Sequence, residues 1–259
     1  MANCLLDLPP EILAEIFKVL SVRSILRFSQ TCRFARRLAN SNLHTVSLAV
    51  QPIHSGAAEQ YCSQKHCVRI LNAHTYDYKV LFMFHNALLT SVVTRHADGL
   101  HTLDLSIWTL TMPIARAISR LLALRDLSIR VEDDLYARAV PRSHIAVERR
   151  EQDSAWNLLG QKAAWRTRLQ RLKIQNADLN SKQLTKLLEH SHCCEELWLS
   201  GCKFIGNDIW DFLGYEWVGR IRLQSLHIAE SCWSLDESSL KAIGGLTDLQ
   251  VGGRTFARL

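Results

Sequence analysis

Two short stretches carry side chains able to do chemistry, and both are built from thiols and imidazoles. Cys62-Ser-Gln-Lys-His66-Cys67 and His190-Ser-His192-Cys193-Cys194 each set soft metal ligands within a few residues of one another. A structural zinc site asks for paired C-x-x-C spacing so that its ligands reach the corners of a tetrahedron, and neither stretch has it. Cys193 and Cys194 fall where a helical pattern hands over to an extended one, and adjacent strand residues point to opposite faces. Buried thiols filling small gaps are the expected role. No G-x-x-x-x-G-K-[ST], H-E-x-x-H, G-x-S-x-G or G-x-G-x-x-G run occurs. No spacing of acids and histidines singles out a nucleophile with its base. The chain is therefore expected to hold no catalytic residue, no cofactor and no metal. One enzymatic alternative stays open, a site within 49–99 where Cys62, His66 and Cys67 cluster.

What remains to be explained is apolar, and it begins with the helical head. Ile12, Leu13, Ile16, Phe17 and Leu20 follow an i, i+1, i+4, i+5, i+8 series, which draws one broad stripe down a helix. Pro9 and Pro10 suit the helix start, where a missing N–H costs nothing, and Glu11 complements the dipole there. A second short helix is expected from Ser21 as N-cap through Val22, Ile25, Leu26 and Phe28. A third is expected from about Thr31 to Ala39, with Cys32, Phe34, Ala35 and Leu38 apolar. Three helices this short cannot bury all of those side chains against each other, so the leftover ones want a partner.

Leu8-Pro9, Glu11-Ile12-Leu13, Ile16-Phe17, Leu20, Ile25-Leu26 and Cys32-Arg33 together resemble an F-box, in that family's order and without a gap. Two positions depart from it: Ala35 stands where many F-boxes have a Trp, and Leu43-His44 where they have Leu-Trp. The resemblance implies that residues 1–42 form an F-box module docking on the small adaptor subunit of a cullin–RING ubiquitin ligase, and through it on a cullin. Leu8, Pro9, Ile12, Leu13, Ile16, Phe17, Leu20 and Leu26 would then be adaptor contacts or their immediate support. Spacing alone does not separate the two roles.

Beyond the head one form recurs, L-x-x-L-x-L. It reads Leu43-His-Thr-Val46-Ser-Leu48, then Leu100 to Leu105, Leu124 to Ile129, Leu169 to Ile174, Cys194 to Leu199, Leu223 to Ile228 and Leu246 to Val251. From Leu103 the central positions lie 24, 45, 25, 29 and 23 residues apart. Apart from the 45, these match the period of leucine-rich repeats, about 20–29 residues. Alternate residues of a short strand face one side, and each unit buries that side only against its neighbours. Helices are expected between the strands at Pro113–Leu124, Ser181–His190 and Asn207–Trp217. A capping box, Ser234-Leu-Asp-Glu237, introduces another ahead of Leu240 and Ile243. Leu197-Trp-Leu199-Ser-Gly-Cys202 resembles the L-x-L-x-x-C ending of leucine-rich repeats, which implies that Cys202 turns the chain out of its strand. The 45-residue interval is a charged insertion near 130–165, either a surface excursion or an extra helical unit around Ile145 to Trp165. Residues 49–99 form irregular units, with a strand at Cys67–Leu71 and a helix through Tyr78, Leu81, Phe82, His85, Leu88 and Leu89.

The expected fold class is thus α/β: an N-terminal three-helix module, then a short, irregular leucine-rich-repeat solenoid over 43–259 with parallel strands and outer helices. Apolar content of 47% and charged content of 22% suit a folded chain. No basic leader precedes the head and no apolar run approaches the length of a membrane span. The eight cysteines are read as reduced thiols, in cytoplasm or nucleus. The net charge of +6 is diffuse, with six Lys/Arg against three acids in 1–50, eight against five in 51–131 and seventeen of each in 132–259. Without a basic stripe, neither nucleic acid nor membrane is expected as a partner.

If the leucines point inward, the residues between them face outward. Asp104, Arg130, Lys173, Gln175, Trp198 and His227 are the expected contacts for a protein substrate, Trp and Arg being enriched among energetically dominant interface residues. Trp198 is equally readable as a cover lying flat over a neighbouring strand. Two functional readings follow from different classes. One is a substrate-recognition subunit of an SCF-type ubiquitin ligase; the other is a leucine-rich-repeat scaffold whose head serves a contact outside any ligase.

Overall fold

The computed structural model describes residues 8–20, 22–52, 66–70, 75–132, 142–229, 249–251 and 254–255. The expected N-cap Ser21, Cys62 and the capping box at Ser234 lie outside them. Three short helices open the chain: α1 (Pro10–Val19), α2 (Val22–Ser29) and α3 (Arg33–Asn42). Pro10 takes the first helical position, and the Leu13 amide donates to the Pro9 carbonyl at 3.1 Å, so the missing proline N–H removes no bond. Thr31 is not in the third helix. That helix starts at Arg33, because the Cys32 thiol takes the N-cap place and accepts from the Ala35 amide at 3.3 Å. Leu13, Ile25 and Ala39 form a small core with Phe28 and Leu38 packed on it. Phe34, expected on the apolar stripe of α3, is exposed instead.

The rest is one sheet with helices between its strands. In chain order its strands are β1 (Thr45–Pro52), β2 (His66–Ile70), β3 (Thr102–Ile107), β4 (Asp126–Val131), β5 (Arg171–Gln175), β6 (Glu196–Ser200), β7 (Ser225–Ala229), β8 (Leu249–Val251) and β9 (Arg254–Thr255). The spatial order is β2-β1-β3-β4-β5-β6-β7-β8-β9, parallel throughout except for the last pair. The strand expected at Cys67–Leu71 is found as β2, His66–Ile70, and it pairs on the outer side of β1, away from β3. Two inner rows run across the sheet in register. One passes from Val46 through Leu103, Leu127, Leu172 and Leu197 to Leu226; the other from Leu48 through Leu105, Ile129, Ile174 and Leu199 to Ile228. All twelve side chains are buried in one contiguous core.

A repeated backbone device holds the strand starts in step. The carbonyl of the residue before each strand accepts two amides from the next unit. His44 takes His101 and Thr102, His101 takes Arg125 and Asp126, and Arg125 takes Gln170 and Arg171. Gln170 then takes Glu195 and Glu196, and Glu195 takes Gln224 and Ser225, at 2.7–3.1 Å throughout. Each carbonyl uses both lone pairs, which pins the register that the leucine pattern requires.

Helices cover the inner rows. They are α4 (Tyr78–Arg95), α5 (Met112–Ser119), α6 (Arg142–Lys162), α7 (Ser181–Leu188) and the short α8 (Asp208–Asp211), which runs on into a π-turn over Phe212–Glu216. Each packs on its neighbour in sequence. The long interval between β4 and β5 places no strand between them, since those two pair directly. Much of it is α6, one 21-residue helix burying Ala155, Trp156 and Leu159. The α5 helix ends at Ser119, short of the expected Leu124, and Leu122 is 60% exposed. At the strand exits Gly201 sits at φ +65°, where a Cβ would come within 2.2 Å of Asn176 Oδ1. Cys202, buried beside it, directs its thiol to the Ile174 and Ser200 carbonyls at 3.8 and 3.6 Å.

Two tryptophans close the turns before β5 and β7 in the same way. Trp165 Nε1 donates to the Ile118 carbonyl at 2.9 Å, and Trp217 Nε1 to the Leu188 carbonyl at 2.8 Å. Each fills core space and adds a second bond to a carbonyl near the end of the helix one unit back, which also accepts from the amide of Leu121 or of Ser191. Trp165→Phe keeps an aromatic ring but removes one of that carbonyl's two bonds, the Leu121 amide still donating to it at 3.1 Å. It should lower unfolding free energy by about 0.5–1.5 kcal/mol for the lost bond, read as a lower denaturation midpoint with an unchanged denaturant slope.

His85 gives the fold an acid-sensitive point. Its Nε2 accepts from the Trp108 amide at 3.2 Å, and burial pushes its pKa down to about 4. The unfolded chain binds that proton near pH 6.5, so the neutral imidazole's contribution is complete above about 6.5 and is lost as pH falls toward 4. The loss should approach about 3 kcal/mol. A His85→Phe variant should show a flatter stability profile over that window in denaturation series at stepped pH.

Candidate functional site

The head presents an apolar face that no other described residue covers. Leu13 is buried and belongs to the head's own core, whereas Leu8, Pro9, Ile12 and Leu20 are exposed and Ile16 is half-buried. Val19, which the expected contact set omits, is 84% exposed. Its place at i+7 from Ile12 was the available signal, since Ile12, Ile16, Val19 and Leu20 share one side of α1. Phe17 lies on α1 and Leu26 on α2, with side chains outside the description. Several large apolar residues side by side in water on so small a module mark a contact surface.

The second surface is the sheet face opposite the helices. Strand alternation and register lay its side chains out in three rows. The first is Thr45, Thr102, Asp126, Arg171, Glu196, Ser225; the second is Ser47, Asp104, Ser128, Lys173, Trp198, His227; the third is Ala49, Ser106, Arg130, Gln175, Ser200, Ala229. Four of the six expected substrate contacts, Asp104, Lys173, Trp198 and His227, therefore stand in one row. Arg130 and Gln175 are direct partners in the next.

Neighbours along the rows are tied together. Ser47 Oγ donates to Asp104 Oδ2 at 3.1 Å, and Arg130 Nε to Gln175 Oε1 at 2.6 Å. Arg171 reaches Asp126 with two bonds, Nε to Oδ1 at 2.9 Å and Nη2 to Oδ2 at 2.7 Å, and Thr102 Oγ1 adds a third at 2.9 Å. Burial pushes the Asp126 pKa up, but these bonds and the charges of Arg171 and Arg125 outweigh it and hold the carboxyl below its ordinary range. Trp198 is sandwiched: the His227 ring stacks on it at 3.5 Å between centroids, and Lys173 Nζ sits 4.2 Å from its ring centre. The indole thus packs between side chains of both neighbouring strands. It still forms part of the half-buried outer face, as the middle tier of a cation–indole–imidazole stack.

The two buried thiols are pushed up by burial, Cys194 to about 12 and Cys202 to about 11, so neither supplies a thiolate. His190 and His192 are exposed and Cys193 is half-buried, so that stretch does not converge. Among the described residues no three His, Cys, Asp or Glu gather as a metal set; His66 and Cys67 lie on β2 with side chains outside the description. A cavity of about 240 Å³ opens between α4 and α6, lined in part by Tyr78, Phe82, Val147, Glu148 and Glu151. The Tyr78 hydroxyl donates to Glu148, whose carboxyl is raised to about 7 by burial and then by Glu151.

Residues 5–45 match the F-box-like family model. No curated protein matches the chain. The matched segment spans α1 to α3, so the module with the uncovered apolar face is an F-box-like domain, a type associated with binding the adaptor of ubiquitin ligases. Among the described residues no helix is long and apolar enough to cross a membrane.

The outer face predicts a contrast in stability. Trp198→Ala removes a half-buried ring and should cost about 1–2 kcal/mol, while Leu199→Ala next to it empties core and should cost about 2–5 kcal/mol. Urea unfolding of the two variants measures the difference, and a reversed order would place Trp198 in the core.

Proposed function

We propose that this protein is the substrate-recognition subunit of an SCF-type cullin–RING ubiquitin ligase. The observation that carries the proposal is the F-box-like match at residues 5–45 coinciding with the uncovered apolar side of α1. Leu8, Pro9, Ile12, Ile16, Val19 and Leu20 dock on the adaptor, Leu13 supports them from behind, and the cullin is reached through the adaptor. The sheet and its helices are a leucine-rich-repeat solenoid; its in-register L-x-x-L-x-L strands and intervening helices support that reading. Asp104, Arg130, Lys173, Gln175, Trp198 and His227 receive a protein substrate on the open face. The chain makes and breaks no bond itself. It raises the local concentration of substrate at the ligase, in cytoplasm or nucleus.

A pull-down of the full chain with the purified adaptor subunit tests the docking. The wild type should be retained. Leu8→Ala with Pro9→Ala should lose retention by at least about tenfold, with an unchanged circular dichroism spectrum because neither side chain enters a core cluster. Equal retention of wild type and double variant would overturn the docking assignment. No retention of either would leave the scaffold reading, with some other partner at the head.

A further inference from the structure

Folding concentrates charge that the linear sequence disperses. The turn before β4 carries Arg120 and Arg125, and the segment before β5 carries Lys162, Arg166 and Arg168, with Arg171 at the start of β5 itself. Some 45 residues separate the two in sequence, yet they are neighbours at one edge of the sheet. The Arg125 carbonyl takes the Gln170 and Arg171 amides, and Arg168 Nη1 reaches across to the Leu122 carbonyl at 3.3 Å. Adjacent strands put such turns about 5 Å apart. Among these residues the one acid is Asp126, and Arg171 neutralises it.

The six cations are not equivalent. Arg166 is committed to structure, donating to the carbonyls of Gly160, Gln161, Ala163 and Lys186 around the ends of α6 and α7. Arg171 is committed to Asp126. Arg120, Arg125, Lys162 and Arg168 are exposed, and the first three make no side-chain bond or ion pair among the described residues. The field of Arg125 is felt one strand away, where His101 is lowered first by burial and then by His44 and Arg125. Leu122 stands 60% exposed within the cluster.

The borders of the patch set what fits it. On the β6 side the next turn holds Glu189, Glu195 and Glu196, and the last two act on Arg171. On the β3 side the strand start holds the stacked rings of His44 and His101. The positive strip is therefore two turns wide and walled by acids on one flank. A polynucleotide extending past it would meet those acids and would find no exposed aromatic ring in the two turns to stack on. We propose that this edge, separate from both the F-box-like head and the open sheet face, docks a short acidic segment of a partner protein, with Arg120, Arg125, Lys162 and Arg168 facing its carboxylates and Leu122 taking an apolar side chain between them.

Fluorescence anisotropy of the full chain tests this with a short labelled peptide of Glu and Asp carrying one central Leu, beside a labelled oligothymidine of equal charge. Wild type should bind the peptide saturably at low salt, more tightly than the oligothymidine and less tightly as salt rises. Arg120→Ser with Arg125→Ser should weaken it about tenfold and flatten the salt dependence. Lys182→Ser with Lys203→Ser, which removes the same charge from exposed sites elsewhere, should leave it unchanged. Arg120→Lys with Arg125→Lys should restore most of the binding, separating a charge effect from a folding defect. Absent peptide binding, equal loss in both Ser pairs, or preference for the oligothymidine would each overturn the proposal.

Discussion

A parallel strand five residues long cannot hide its own apolar side. In this molecule every strand from β1 to β7 sets two Leu, Ile or Val side chains on one face, and these are covered only because the next strand stands in register and a helix lies across both. The paired amides on each pre-strand carbonyl keep that register from slipping. A slip by one residue would turn Leu103 and Leu105 outward and bring Asp104 into the core, a buried unpaired charge that no neighbour could satisfy. The inner rows thus dictate the outer ones. Asp104, Lys173, Trp198 and His227 line up because Leu103, Leu172, Leu197 and Leu226 must.

The head lives under the opposite constraint. With a core of Leu13, Ile25 and Ala39, it is too small to use all its apolar side chains, and Ile12, Val19 and Leu20 are left in water. The surplus that makes the module marginal is also what gives it a contact surface. The two halves of the chain therefore offer different kinds of face. One is a compact apolar patch on α1; the other is a broad polar sheet face already cross-braced by Arg171–Asp126, Arg130–Gln175 and the Lys173–Trp198–His227 stack. Bracing of this sort reduces the side-chain entropy lost on association.

Much of the body was legible in the sequence because the signal is local. L-x-x-L-x-L states the inner face of a strand in six residues, and the strand positions follow it closely. Features that depend on distant partners were not legible. β2 pairs outside β1, and nothing in Cys67 to Leu71 specifies which edge a strand will join. Leu122 and Phe34 continue helical apolar series yet are exposed, because α5 stops at Ser119 and α3 turns Phe34 away from the small head core. Charge counting along the chain missed the basic edge, since Arg120 and Arg168 become neighbours only when β4 and β5 pair. In the head, spacing marked the stripe on α1 but gave no means of telling buried Leu13 from exposed Ile12, which depends on where α2 and α3 come to rest.

The proposed division of labour, head for the adaptor and open sheet face kept free for a substrate, is tested most directly by hydrogen–deuterium exchange on the full chain with and without the purified adaptor subunit. The account predicts added protection confined to α1 and α2, with exchange in β3 to β7 unchanged. Protection spread over the strands with none in the head, or no protection anywhere at saturating adaptor, would contradict it.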